Sequence, residues 1–127
     1  MDISNIPYFD GHCDTIMCCA GEGRLLRENN GHLDLMRLKK YKKAVQFFAM
    51  YFNLADAPSE GMFSVCKKQQ DVFARELLKN KDVVVQCRNA SEIKKAHDEG
   101  KVAAILSCEG TELLNCDIEN LEWAHKV

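Results

Sequence analysis

The hexapeptide Asp10-Gly11-His12-Cys13-Asp14-Thr15 follows the mostly apolar stretch Ile6-Pro7-Tyr8-Phe9. In an extended chain alternate side chains share a face, so His12 and Asp14 point one way and Cys13 the other. An imidazole and a carboxylate placed like this are able to ligate one hard or borderline metal ion such as Zn²⁺. Gly11 lets the backbone turn just before them. Taken alone, the tripeptide also reads as a polar turn after a strand. Glu109 directly follows the apolar run Val102-Ala103-Ala104-Ile105-Leu106-Ser107-Cys108. A carboxylate at the C-terminal end of a buried strand sits where β/α folds place their active sites, although a single Glu there also serves as a helix cap. Two strand-end sites in parallel β/α units converge on one rim, which favours a metal site made of His12, Asp14 and Glu109.

Other candidates are weaker. His32-Leu33-Asp34 repeats the spacing but follows a polar loop and precedes a short helical turn, so Asp34 reads as an N-cap. His97 lies among Lys94, Lys95, Asp98 and Glu99 in an expected helix and reads as solvated, and His125 has a similar setting. Cys18-Cys19 lacks a neighbouring cation that would make it reactive. Gly21-x-Gly23 lacks the third glycine and the preceding strand of a phosphate loop, and there is no Gly-x-Ser-x-Gly elbow.

The elements that must position the triad follow from hydrophobic patterning. Ala44 to Phe52 is apolar except for Gln46, the pattern of a strand buried on both faces in a parallel sheet. A helix is expected from about Ser59 to Lys79, a short β-branched strand at Val83-Val84-Val85, and a helix capped by Asn89 or Ser91 and ending at Gly100. Val102 to Cys108 forms the last strand, and Asp117 caps a final helix through Leu121, Trp123 and Ala124. Gly21, Gly23, Asn29, Asn30 and Gly31 mark a flexible, polar connection, followed by a short turn capped by Asp34 that carries Leu35, Met36 and Leu38. Strands alternating with helices imply parallel β/α units in one domain spanning 1–127, with no second domain.

Composition narrows the class. The chain has 127 residues, 46% of them hydrophobic, and Lys+Arg 17 against Asp+Glu 19 gives a net charge of −2. That balance offers no electrostatic reason to expect nucleic acid or an acidic membrane as a partner. Seven cysteines are an odd number that cannot all pair within the chain and follow no small-domain disulfide spacing, so they read as reduced thiols in a cytoplasmic protein. No signal peptide or membrane span is expected from the pattern.

Four ordered segments, Asp10-Gly11-His12-Cys13-Asp14, His32-Leu33-Asp34-Leu35-Met36-Arg37-Leu38, Ala44-Val45-Gln46-Phe47-Phe48-Ala49 and Gly100 to Gly110, resemble the membrane (renal) dipeptidase family of zinc metallopeptidases. The likeness departs at Tyr41-Lys42-Lys43, where that family usually has a glycine-containing turn. The resemblance implies a (β/α)₈ TIM barrel with two zinc ions at its C-terminal rim, hydrolysing dipeptides with a metal-bound hydroxide as nucleophile. It implies that His12 and Asp14 ligate one zinc and that Glu109 is the catalytic carboxylate bridging both, which holds them ~3.5 to 4 Å apart. Two further histidines for the second zinc, and a histidine and an arginine for substrate, belong to the later half of the family's barrel.

A complete barrel needs roughly 250 residues. The chain is therefore expected to form about the first four β/α units, to hold at most one zinc well, to be inactive alone, and to self-associate or pair with a complementary half. Two alternatives are a different amidohydrolase-like hydrolase, whose His-x-His or bridging lysine is absent from the strands here, and a non-catalytic binding or assembly module of the same fold.

Overall fold

The computed structural model describes residues 2–127. Its framework is a four-stranded, fully parallel sheet of β1 (Pro7–Asp10), β2 (Lys43–Met50), β3 (Val84–Gln86) and β4 (Val102–Cys108). Five helices accompany it: α1 (Thr15–Glu22), α2 (Leu35–Leu38), α3 (Met62–Lys79), α4 (Ala90–Asp98) and α5 (Ile118–Lys126). In space the strands run β1-β2-β4-β3, so β4 lies beside β2 and β3 occupies the edge. Patterning does not carry this crossover, nor the end of β2, which stops at Met50 rather than Phe52. With only three residues, β3 pairs with just the first part of β4, Val102 to Ala104.

β2 and the first half of β4 are buried on both faces, as their apolar runs require, whereas Phe9 of β1 is exposed. Ala44, Phe48, Val102 and Ala104 join Ile16 and Cys19 of α1, Leu35 and Leu38 of α2, and Val72, Phe73 and Leu77 of α3 in the main core. On the opposite face Val45 and Ala103 pack with Ala96 and Ile93 of α4. A third cluster, of Met50, Cys66, Leu113 and Leu114, underlies the C-terminal end of the sheet, where Trp123 of α5 meets Phe63 edge-on with ring centroids 5.1 Å apart.

Helix ends follow their local chemistry. Asn89 caps α4 by accepting from the Glu92 amide, and Gly100, at φ 66, lets the chain leave in the left-handed region. α3 starts at Met62, later than the expected Ser59, because Gly61 at φ 86 breaks the backbone after the turn from Pro58. The helix α1 is absent from the expected elements. It is short, buries only Ile16 and Cys19, and runs through Gly21 to a left-handed Gly23.

Asp34 is the N-cap of α2, as the second H-x-D segment suggests. Its carboxylate, 3% exposed as a residue, accepts from the Arg37 amide at 2.8 Å and the Arg37 guanidinium at 2.7 Å. That guanidinium also reaches the carbonyls of Gly31 and His32, so one buried carboxylate organises the whole connection. Asp34→Ala should therefore lower stability by about 2–3 kcal/mol, more than a simple cap loss. The shift of the urea midpoint is the measure.

Candidate metal centre

β2 is the spine on which both candidate strand ends are hung. Its Ala49 amide donates to the Cys13 carbonyl at 2.9 Å, and its Met50 carbonyl accepts from the Glu109 amide at 3.0 Å. The tip of β1 and the tip of β4 thus flank β2, two strands apart, and the side chains of His12 and Glu109 meet across it.

His12, Asp14 and Glu109 offer three ligand atoms that all lie within 4.8 Å of one another. The Nε2 atom of His12 stands 3.2 Å from Asp14 Oδ1 and 3.3 Å from Glu109 Oε2. Charge-assisted N–H···O bonds are shorter, about 2.7–2.9 Å, and one ring N–H cannot serve two acceptors well. Ligand atoms about 2.0–2.1 Å from a tetrahedral zinc stand about 3.3 Å apart, which is the spacing of each carboxylate oxygen from the imidazole nitrogen. One neutral nitrogen and two carboxylates also suit a borderline dication in charge and softness. All three side chains are about half exposed, and ion pairs in such positions contribute only about 0–1 kcal/mol, so fold stability gives little reason for the cluster.

The way His12 and Asp14 come together differs from strand alternation. β1 ends at Asp10, and the chain bends at Gly11. Asp10 Oδ1 accepts the His12 amide at 3.1 Å and sets the turn. Asp14 then occupies the N-cap position of α1, yet its side chain makes no capping hydrogen bond. Cys13 packs against the main core, and burial pushes its thiol up.

Behind the turn lies a polar group that the sequence marks only by Gln46, the one break in an apolar strand. Tyr8, Asp10 and Gln46 hydrogen-bond to one another. Burial, reinforced by the Asp10 carboxylate, pushes the Tyr8 phenol up to about 12. An unfolded tyrosine ionises near pH 10, so between about pH 10 and 12 the unfolded chain gives up this proton first and stability falls as pH rises. Denaturation midpoints across that window should fall less steeply in Tyr8→Phe, and an identical slope would show that the phenol contributes nothing.

The remaining candidates do not join this cluster. His32 is exposed on the loop beside a cavity of about 350 Å³ that His12 and Asp14 also line. His97 is half-buried rather than solvated, with Nε2 3.3 Å from the Ala44 carbonyl at the start of β2. His125 is exposed on α5. The seven cysteines are unpaired, with Cys19, Cys66 and Cys87 buried as small apolar groups. The neighbouring Cys108 thiol and burial push the Cys66 thiol up, as expected in a core.

A parallel β/α sheet with a nitrogen and two carboxylates gathered at its C-terminal ends matches the start of a TIM-barrel-like fold. The family model for membrane dipeptidase, peptidase family M19, matches residues 3–127, and the chain belongs to that family. Among solved structures it is similar to the crystal structure of dipeptidase AC, a metallopeptidase of family M19, at 25% identity with a TM-score of 0.68. The match covers 96% of this chain and 40% of that one. No curated protein matches the sequence significantly. Among the described residues no helix is long and apolar enough to cross a membrane.

Proposed function

We propose that residues 1–127 form, as one structural unit, the N-terminal part of a zinc-dependent dipeptidase barrel that carries half of its metal centre. In this reading His12 and Asp14 would hold one zinc and Glu109 would be shared between it and a second, whose other ligands would come from barrel strands outside this chain. One observation carries the proposal. Asp14 stands at the head of α1, leaves that helix without a side-chain cap, and faces the same imidazole nitrogen as Glu109. A capping bond contributes about 1 kcal/mol, and a residue that forgoes it for an exposed acidic cluster is better explained by a cation than by stability. Only Oε2 of Glu109 is engaged with His12, which leaves the other oxygen for a second ion.

Bound zinc supplies positive charge that polarises a scissile amide carbonyl and acidifies a water molecule. The chain's own part is to hold the donors. His12 gives a neutral nitrogen, Asp14 and Glu109 offset the charge of the ion, and the adjoining cavity has room for a small substrate such as a dipeptide.

Because the proposed donor set is incomplete here, the 127-residue chain is expected to be inactive with zinc and a panel of dipeptides. A full-length protein carrying this sequence should hydrolyse dipeptides and stop when a chelator removes the metal. A metal-loaded full-length protein that cleaves no dipeptide would overturn the reading, and ordinary turnover by the isolated chain would overturn the division of the site.

The same reading gives the sheet edges a role. β1 has only β2 beside it, and β3 leaves Ile105 to Cys108 of β4 paired on one side among the described residues. Such edges promote self-association or pairing with a complementary half-barrel, and a stable monomer at high concentration in sedimentation would count against this. Seven unpaired thiols fit a reducing, cytoplasmic setting.

A further inference from the structure

We propose that Gln46, with Tyr8, is a positioning residue for the metal centre, acting through Asp10 on the backbone of His12; this rests on the metal-site reading above. Gln46 is fully buried, in the middle of the central strand. Burying an unpaired amide costs roughly 2–7 kcal/mol, so its partners matter. Its Nε2 donates to Asp10 Oδ2 at 3.1 Å and to the Phe47 carbonyl at 2.9 Å, and its Oε1 accepts from the Tyr8 hydroxyl at 3.1 Å. Both amide hydrogens and the carbonyl oxygen are therefore used. An ionised carboxylate only accepts, so the contact with Asp10 fixes which end of the Gln46 amide faces it.

Asp10 and Gln46 are direct neighbours in the β1–β2 register. The second oxygen of Asp10 accepts the His12 amide at 3.1 Å, across the bend at Gly11. Each carboxylate oxygen thus has a distinct task, one tied to the sheet and the other to the turn that aims the imidazole at Asp14 and Glu109. The space where a side chain would stand at Gly11 is empty, so the bend is not packed there, and the Asp10 bond holds it together with the bond from the Ala49 amide to the Cys13 carbonyl. Because β2 also fixes the Glu109 amide, an anchor on Gln46 places His12 in the same frame as the carboxylate it must meet. A leucine at this position would fill the space and suit the core, so packing alone gives no reason for a glutamine.

The test is zinc affinity of the full chain, measured against a chromophoric chelator, together with the visible spectrum of the cobalt(II) form and a separate urea titration. Gln46→Leu and Asp10→Ala are expected to weaken zinc binding by about 10–100-fold and to change the cobalt spectrum, as loss of an outer-sphere anchor does. Asp10→Asn keeps an acceptor for the His12 amide but sets an NH2 against Gln46, which cannot turn its amide without facing its oxygen to the Phe47 carbonyl, so zinc binding should weaken, by less than in Asp10→Ala. Should Gln46→Leu fail to fold, Tyr8→Phe gives the same reading with a smaller loss. Folded Gln46→Leu or Tyr8→Phe protein that binds zinc as tightly as the parent overturns the positioning role alone, provided His12→Ala abolishes binding. Parent protein that binds neither zinc nor cobalt, or His12→Ala protein that binds as the parent does, overturns the metal reading and the positioning role with it.

Discussion

Phe48→Ala should cost about 3–5 kcal/mol of folding free energy, the upper range for a single core truncation. Phe48 is 0% exposed on β2 and its ring lies 5.8 Å from that of Phe73, 1% exposed on α3. This contact pins the longest helix to the strand that also carries β1 on one side and β4 on the other. The hole left by the ring cannot close by a shift of β2, because both of its neighbours are hydrogen-bonded to it. A chain of this size has a total stability of about 5–15 kcal/mol, so the loss removes a large share of it. Leu78→Ala is the control: at 72% exposed, this side chain on the same helix should change stability by no more than about 0.5 kcal/mol. Urea midpoints of the two variants give the comparison. A Phe48→Ala shift as small as that of Leu78→Ala would mean that α3 does not dock on the sheet through this pair.

The contrast between these two residues also shows how far patterning reaches. The strand expected at Val102 to Cys108 is observed with the same ends, because an unbroken apolar run lies between Lys101 and Glu109. The helix α4 is equally legible, with Asn89 signalling its start and Gly100 its exit. In α1 the signal is weak, since the two buried residues, Ile16 and Cys19, make a single i, i+3 pair and two glycines follow. Strand order is illegible for a different reason. Whether β4 or β3 lies beside β2 depends on how two apolar segments compete for one edge, and the three residues of β3 make a short ladder beside the six register pairs that β4 forms with β2.

For the site, residue type and strand-end position were the readable parts. His12, Asp14 and Glu109 could be singled out because polar donors follow apolar runs, and the structure brings the three together. The route by which they meet was not readable. Alternation along a strand puts His12 and Asp14 on one side, but the chain has already left the strand at Asp10 and uses an Asp10-held turn that ends at the N-cap position of α1. The Tyr8–Asp10–Gln46 group left one trace, a glutamine inside a buried strand. A buried amide must find partners, and those partners come from a strand 36 to 38 residues away in sequence.

The sharpest expected result at the site is a separation of affinity from stability. Asp14→Ala should weaken zinc binding by more than about 100-fold, since a direct ligand matters more than the outer-sphere partners that are worth 10–100-fold. Its effect on folding should stay within about 0.5 kcal/mol, because the side chain is half exposed and makes no cap that could be lost. An ordinary N-cap aspartate behaves in the opposite way, and this chain contains one for comparison. Asp34 has the same His-x-Asp spacing, is buried, and caps α2 through the Arg37 amide. Its alanine variant should lose stability and keep its zinc, while the Asp14 variant should keep stability and lose zinc. His12→Ala and Glu109→Ala belong with Asp14, since their ligand atoms meet at the same point, and His32→Ala belongs with the parent. Competition with a chelator measures the affinities and urea titration the stabilities, so each pair of values places a residue in one class. If Asp14→Ala lost stability as Asp34→Ala does and kept its zinc, the carboxylate at the head of α1 would be an ordinary helix cap and the metal centre would have to be sought elsewhere.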